Sequence, residues 1–188
     1  MVARAAAAAA TRERILESAW RQFAERPYES VRLADIAADA GVTVQTLHAR
    51  FGTKDALFVA AWAWMVIPEG ARRDGAPVGD VREAVRLLYD SYELHGDATL
   101  RLLAQEERIP TVREMADSGR AWHRNWVERT FAPLLGGLSR AARERRLVAL
   151  IVATDIQVWK LLRRDMGLGR PTAERVVVEM VTATKGAP

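Results

Sequence analysis

The stretch LADIAADAGVTVQTLHARFGTKDAL, from Leu33 to Leu57, decides the fold of this chain. Its apolar residues recur at the three- and four-residue spacing of two short amphipathic helices. Between the helices lies Gly41, where a left-handed backbone ends a helix at the least steric cost. Thr43 follows and offers an N-cap hydroxyl to the second helix. Because Ala37 and Gly41 are small, the helices can cross closely, which is typical of a helix-turn-helix.

The second helix of this motif is predicted to divide into an apolar face and a polar face. The side chains predicted to point inward are Val44, Leu47 and Phe51. On the polar face, Gln45 can make a bidentate contact with adenine and Thr46 can bond a base edge. Phosphate oxygens are suitable partners for three further side chains, which are His48, Arg50 and Lys54. Lys54 follows Gly52 and Thr53, which are predicted to stop one helix and cap the next.

The sequence around the motif resembles the DNA-binding domain of the TetR family of transcriptional regulators. The resemblance rests on TRERILESAWRQFAER as a first helix, then DIAADAGVT, then TLHARFGTKDAL, in that order and spacing. It implies a phosphate contact from Arg32, at the position where the family often has a Ser or Thr cap. With Thr43, this completes the predicted DNA-binding set. The alternative is that the two short helices are surface helices of an ordinary bundle.

Composition narrows the function classes for this chain of 188 residues. It has 49% hydrophobic residues, enough for a sizeable core, but no run of about 18 apolar residues that could span a membrane. The alanine run at residues 5–10 lacks the core of a signal peptide, so we expect a soluble, cytoplasmic protein. The absence of cysteine excludes disulfides and thiolate sites. The net charge of +4 permits nucleic-acid binding, but the basic excess is not concentrated in the motif.

The N-terminal part is predicted to be a three-helix DNA-binding head over residues 1–52. Residues 1–10 form either a mobile arm or a fraying extension of the first helix, and Arg4 could reach a minor groove. The first helix is predicted from about Thr11 to Arg26, with Pro27 ending it. A fourth helix, from Thr53 to about Val66, begins the body.

The body, residues 53–188, reads as a helical bundle, so the predicted fold class is all-α. Proline and glycine are frequent between residues 68 and 79, which predicts a loop and a domain boundary there. A break is predicted at His95-Gly96-Asp97. The helices expected in the body span residues 80–94, 97–108, 111–135 with a bend at 118–119, 139–164, and 171–184.

No group of residues points to catalysis or to a bound cofactor. The histidines at positions 48, 95 and 123 lack the spacing of metal ligands, and no phosphate loop or nucleophile elbow is present. We therefore predict that the chain is not an enzyme and holds no metal or cofactor.

Aromatic residues on the predicted body helices suggest a small-molecule site. Indole and phenol side chains provide apolar area with one polar atom, which suits a ligand pocket. Asp155 stands out because its helical neighbours Ile151, Val158 and Trp159 are apolar. Its carboxylate could pair with an arginine, meet a ligand, or lie at an interface rim. The predicted ligand-binding residues are Tyr89, Tyr92, Trp122, Trp126, Asp155 and Trp159, the alternative being that the rings are core residues.

The last two predicted helices also indicate a partner. The segment 147–162 is apolar on more than one side, and so is the segment 176–181. The family resemblance implies that these helices pair with their copies in a second subunit, and a covered monomer core is the alternative. The predicted interface residues are Ile151, Val158, Leu162, Val176, Val177 and Met180.

Taken with the resemblance, these features predict a homodimeric transcriptional regulator, specifically a repressor. Its expected partners are operator DNA with palindromic half-sites, a small-molecule effector and a second copy of the chain, with no membrane. Effector binding would change the separation of the two heads and release the operator. A helical protein-interaction module without a DNA site, and an enzyme hidden in the body, are the alternatives.

Overall fold

The computed structural model describes residues 2–183, and within that range it contains helices and turns but no strand. The predicted all-α class is therefore confirmed. A 3₁₀ turn at Tyr28–Ser30 precedes the second helix, and a π-helical turn at Leu161–Asp165 precedes the last one. The helices are α1 (Val2–Glu25), α2 (Leu33–Asp39), α3 (Val44–Phe51), α4 (Lys54–Arg73), α5 (Val81–Leu103), α6 (Pro110–Thr130), α7 (Ala132–Leu135), α8 (Arg140–Ala153), α9 (Ile156–Lys160) and α10 (Arg170–Ala183).

The start of α1 decides between the two alternatives for the N-terminus. Residues 2–10 are helical, so they extend the first helix and do not form an irregular arm. The alanines are exposed, and their high helix propensity favours the helical extension. Residue 1 of the predicted arm, and residue 184 at the predicted end of the last helix, lie outside the described residues.

Helix α4 continues to Arg73, so the predicted end near residue 66 is wrong, and the predicted loop at 68–79 begins only after residue 73. Pro68 lies inside the helix, although proline removes a helical hydrogen bond. The last turns of α4 are held by packing, since a Cβ on Gly70 would lie 3.2 Å from the Trp122 ring. The connecting loop is thus shorter than predicted, and it ends at Asp80, whose carboxylate caps α5 by accepting from Glu83 N at 3.0 Å.

Helix α5 is continuous, so the predicted break at residues 95–97 is also wrong. A Cβ on Gly96 would lie only 2.6 Å from the Trp159 ring. Gly96 is therefore present because the ring packs against the backbone there, and it does not end the helix. The sequence pattern showed a helix breaker but could not show a partner distant in sequence.

The long helix predicted over 139–164 is interrupted. Ser139 caps its start as predicted, accepting from Ala142 N at 3.4 Å. The helix then ends at Thr154, and Asp155 becomes the N-cap of α9. The helix predicted over 111–135 is likewise divided, because α6 ends at Thr130, although it passes through residues 118–119 without a break.

Two compact units make up the chain, each with its own core. Of the described residues, the first contains 2–68 and 98–116, and the second contains 69–97 and 117–183. The aromatic core of the first unit joins Phe23, Tyr28 and Phe58, with ring centroids 4.7 to 5.5 Å apart. The predicted boundary at residue 52 therefore falls before Phe58, which belongs to the core of the head. Within the described range, no helix has the length and apolar character needed to cross a bilayer.

Candidate nucleic-acid interface and ligand site

The turn between α2 and α3 has the geometry that the sequence predicted. Gly41 has φ = 66°, in the left-handed region, and Val42 N donates to Ala37 O at 2.9 Å. Thr43 then caps α3 by accepting from Thr46 N at 3.2 Å. Both predicted roles, Gly41 as the helix stop and Thr43 as the cap, are confirmed.

Helix α2 is fixed to α1 by a buried polar contact. Ser18 Oγ donates to Asp39 Oδ2 at 2.6 Å, and Arg21 forms an ion pair with the same carboxylate. The hydrogen bond from Ser18, followed by the bond and charge of Arg21, lowers the pKa of Asp39 below its usual range. Because α2 is held in this way, the orientation of α3 relative to α1 is defined.

The exposed face of α3 carries most of the predicted DNA contacts. Gln45, His48 and Arg50 are exposed, and Thr46 is partly exposed with its hydroxyl 3.0 Å from that of Thr43. On the opposite face, Leu47 is buried and Phe51 packs against the core, as predicted.

Val44 is 36% exposed, so the prediction that it faces inward is wrong. It occupies the first turn of α3, immediately after the Thr43 cap, where the helix end projects from the core. An apolar side chain in this position suits the methyl group of thymine. Helical spacing alone could not identify it, because spacing does not show where a helix end leaves the core.

Two basic residues of α3 make contacts within the head. His48 Nδ1 donates to Gly52 O at 2.8 Å, which leaves Nε2 available. Arg50 Nη1 donates to Ala8 O at 3.3 Å, linking α3 to the extended part of α1. Arg32 is exposed at the N-cap of α2 and its side chain makes no capping bond. These three side chains remain predicted phosphate contacts.

Lys54 is more enclosed than the sequence suggested. Its Nζ donates to Tyr28 O at 2.6 Å and lies 4.5 Å from the centroid of the Tyr28 ring. Partial burial lowers the pKa of its ammonium group. Thr53 caps α4 by accepting from Ala56 N at 3.1 Å, as predicted. Lys54 thus has a structural role in the head, and its phosphate contact stays a prediction.

The body contains a buried polar cluster centred on Arg73, at the end of α4. Arg73 is 6% exposed, and its guanidinium carbon lies 4.4 Å from the Trp126 centroid and 4.6 Å from the Trp122 centroid. Its Nη2 lies 3.1 Å from His123 Nδ1, and His123 Nε2 lies 3.1 Å from Thr154 Oγ1. We call Arg73, Tyr92, Trp122, His123, Trp126 and Thr154 the Arg73 cluster.

The structure brings four of the predicted ligand-binding rings together, those of Tyr92, Trp122, Trp126 and Trp159. Tyr92, Trp122 and Trp126 belong to the Arg73 cluster, and the Tyr92 hydroxyl donates to Thr154 O at 3.0 Å. Trp159 is buried beside this cluster, with its ring centroid 6.0 Å from that of Tyr92, and its Nε1 donates to Glu93 Oε1 at 3.0 Å. Tyr89 is also buried, and its hydroxyl has no partner.

Asp155 does not occupy the buried environment that its apolar neighbours suggested. Because the helix breaks at this point, its carboxylate accepts from Gln157 N at 2.8 Å and lies partly exposed. The expected arginine pair is not present among the residues that the structure describes. Capping therefore accounts for this carboxylate without a ligand.

The helix-turn-helix region is similar in sequence to a known protein family. The family model for bacterial regulatory proteins of the tetR family matches residues 15–61, which span the end of α1 through the first half of α4. The similarity to this family is shown for these residues. Curated protein sequences give no significant match to the chain.

Solved structures share the TetR fold over nearly the whole chain. A tetR-family transcriptional regulator from Streptomyces coelicolor is 19% identical with a TM-score of 0.73, covering 93% of this chain and 79% of its own. A transcriptional regulator from Rhodococcus sp. Rha1 is 17% identical with a TM-score of 0.70, covering 94% and 99%. The SmeT–triclosan complex is 19% identical with a TM-score of 0.72, covering 95% of each chain. At these identities the similarity establishes the fold.

The body carries the predicted interface residues in three environments. Leu162 and Val177 are buried within the chain, Val177 at 1% exposure, so they are core residues of the single subunit. Met180 is exposed, whereas the other predicted interface residues, Ile151, Val158 and Val176, are partly buried. Two apolar side chains that were not among the predicted interface residues, Val148 and Val152 on α8, are more exposed than Met180.

Proposed function

We propose that this TetR-family regulator represses transcription as a homodimer and leaves its operator when a small molecule binds the body. The observation that carries the proposal is the helix-turn-helix. Its turn, its Thr43 cap and its exposed α3 face have the geometry needed to enter a major groove, over the residues that match the family model.

Base reading is assigned to the N-terminal half of α3. Gln45 is exposed and can bond adenine in a bidentate manner, while Val44 can contact a thymine methyl group. The Thr46 hydroxyl lies 3.0 Å from that of Thr43, so its single proton can reach a base only when Thr43 is the donor between them. Arg32, His48 and Arg50 are assigned to phosphates, which fix the register of the head on the duplex.

Dimerisation is assigned to α8 and α10. Val152 is 53% exposed and lies one helical turn from exposed Val148, so the two form an apolar stripe on α8. Met180 and Val176 form a similar stripe on α10, and the two helices pack against each other. A two-fold interface buries such stripes against their own copies and matches palindromic half-sites.

Small-molecule binding is assigned to the body. The SmeT–triclosan complex has the same fold, which supports a ligand in this part of the chain. The Arg73 cluster provides aromatic surface with a few polar atoms, the character of a small-molecule site. We infer a regulator and not an enzyme.

Selection from a pool of random DNA duplexes tests the DNA-binding proposal. The wild-type chain should enrich a two-fold symmetric sequence. Gln45→Ala should weaken binding to that sequence by roughly 1–3 kcal/mol while binding to random DNA stays unchanged. Gln157→Ala, at an exposed glutamine in the body, is the matched control. A chain that enriches no sequence would be an interaction module, and equal weakening on both DNAs would move Gln45 to the phosphate contacts.

Sedimentation of charged variants tests the dimer. Met180→Glu should yield a folded monomer, because the charge would be buried without a partner in the assembled interface. Leu94→Glu is the control, since Leu94 is exposed and lies outside the proposed interface. Val177→Glu is not informative, because it would disrupt the core of the single chain. A Met180→Glu protein that remains dimeric contradicts the assignment.

A further inference from the structure

Arg73 is a buried cation without an anionic partner. Its Nε–H is buried and has no acceptor, and no carboxylate pairs with it in the described part of the chain. The adjacent acids are engaged elsewhere, since Glu69 pairs with Arg72 and Asp74 pairs with Arg129 at 2.8 Å. Buried charges in proteins are normally paired, so this exception requires an explanation.

Aromatic rings hold the guanidinium in place without supplying a counter-charge. The guanidinium carbon lies 4.4, 4.6 and 5.8 Å from the ring centroids of Trp126, Trp122 and Tyr92. Ring faces attract a cation, but they do not satisfy the N–H donors of the planar fork. The rings therefore orient Arg73 and leave it able to bind an anion.

The hydrogen bonds around Arg73 also leave its charge unbalanced. Arginine only donates, so Arg73 Nη2 donates to His123 Nδ1, and His123 Nε2 donates in turn to Thr154 Oγ1. Thr154 Oγ1 in turn donates to Leu150 O at 2.8 Å. Removal from solvent, and then the charge of Arg73, lower the pKa of His123 to about 3, so the imidazole is neutral. His123, Thr154 and Leu150 O are all neutral, so these hydrogen bonds fix the orientation of Arg73 without balancing its charge.

We propose that Arg73 binds the anionic group of the effector, so that the effector is a small aromatic acid. The guanidinium fork matches a carboxylate, and an acidic phenolate offers the same single charge. Trp122 and Tyr92 are partly exposed whereas Trp126 is fully buried, so the ring of the acid contacts Trp122 and Tyr92. This inference rests on the proposed function only in that the body binds a small molecule.

A panel of acids and their neutral amides, used without DNA, tests the inference. The probes are benzoate, 1-naphthoate and indole-3-acetate, each with its amide, measured by calorimetric titration and melting temperature. At least one acid should bind wild type tenfold or more tightly than its amide. At about 100 times its Kd it should raise the melting temperature by roughly 5 °C. Because DNA is absent, failure of operator binding leaves this result unaffected.

Two variants of Arg73 and one control variant test whether the preference for the acid depends on Arg73. Arg73→Met should lose at least tenfold in acid affinity, bind the amide as wild type does, and keep or raise the melting temperature of the free protein. Arg129→Met removes an exposed arginine from a surface pair and should change neither affinity. Arg73→Lys keeps the charge without the fork and should give an intermediate affinity, which covers the case in which Arg73→Met does not fold.

The inference is overturned by any of three results. The first is that no acid binds wild type better than its amide. The second is that Arg73→Met or Arg73→Lys binds the acid as tightly as wild type. The third is that both variants melt far below wild type with acid affinity unchanged in the folded fraction, which makes Arg73 a structural residue.

Discussion

The head and the body place their functional polar groups in opposite environments. In the head, the α3 side chains assigned to DNA are exposed, and the polar contact beneath them, Ser18 with Asp39, is fully satisfied. In the body, the polar cluster lies among Trp126 and other aromatic rings, and Arg73 retains a donor without a partner. The polar groups of the head are exposed or paired, whereas the body contains a buried cation with an unpaired donor.

Because of this difference, the functional residues of the head can be predicted from the sequence more fully than those of the body. The residues of a surface interface can be predicted from helical periodicity, because the periodicity shows which positions of a helix point outward. A buried site is recognised by a donor or charge that lacks a partner, because buried polar groups are normally satisfied. Periodicity is visible in the sequence, whereas the partners of a buried group are known only from the fold.

Truncation of Trp126 is expected to have the largest effect. Trp126→Ala should lower the free energy of unfolding of the body by roughly 3–5 kcal/mol, because the ring is fully buried and its Nε1 donates to Arg73 O at 3.3 Å. Denaturant unfolding measures the loss. Trp122→Ala should cost less, since that ring is partly exposed. Equal losses would mean that both rings are core residues and would remove Trp122 from the ligand site.

The pH dependence of stability gives a smaller effect, confined to the body. The folded pKa of His123 is about 3, below the ~6.5 of a free histidine, so the unfolded chain binds a proton that the folded chain does not. Stability is therefore fully present above pH 6.5 and is lost as the pH falls toward 3. Between pH 7 and pH 5 the loss should be at most roughly 2 kcal/mol.

Comparison of wild type with His123→Gln isolates this contribution. The variant keeps a neutral acceptor for Arg73 but cannot be protonated in this range, so its stability should decline less between pH 7 and pH 5. Parallel curves for the two proteins would show that His123 is not held neutral by its surroundings.

Removal of the helix caps should have the smallest effect and should still separate the two regions. Thr43→Ala and Ser139→Ala each delete a hydroxyl that caps a helix, and each should cost about 1 kcal/mol of stability. Only Thr43→Ala should also weaken DNA binding, because Thr43 orients the start of α3. Titration of the selected DNA with both variants checks this. Weakened binding by Ser139→Ala to the same extent would mean that both losses reflect stability alone.

Local signals in the sequence predicted much of the head and several helix ends. Gly41, Thr43, Asp80 and Ser139 each act through neighbours within a few residues, so their stop and cap roles could be predicted. The all-α class followed in the same way from helical spacing without strand alternation.

Positions whose role depends on distant residues were predicted incorrectly. Gly96 was predicted to be a break because its packing partner, Trp159, lies far along the chain. Asp155 was predicted to be buried because nothing local shows that the helix breaks there. Arg73 was placed in a loop and not considered, although the rings around it, Trp122 and Trp126, were identified.

The most direct test of this account measures both regions together. The operator affinity of wild type and of Arg73→Met is determined with and without a saturating concentration of the acid that binds best. Without acid the two proteins should bind the operator equally, since Arg73 lies outside the head unit. With acid, wild type should weaken by about 5–150-fold, and the operator should weaken acid binding by the same factor, while Arg73→Met should not respond. Wild-type affinity that stays unchanged when the acid is bound would contradict the claim that the body controls the head through an anionic ligand.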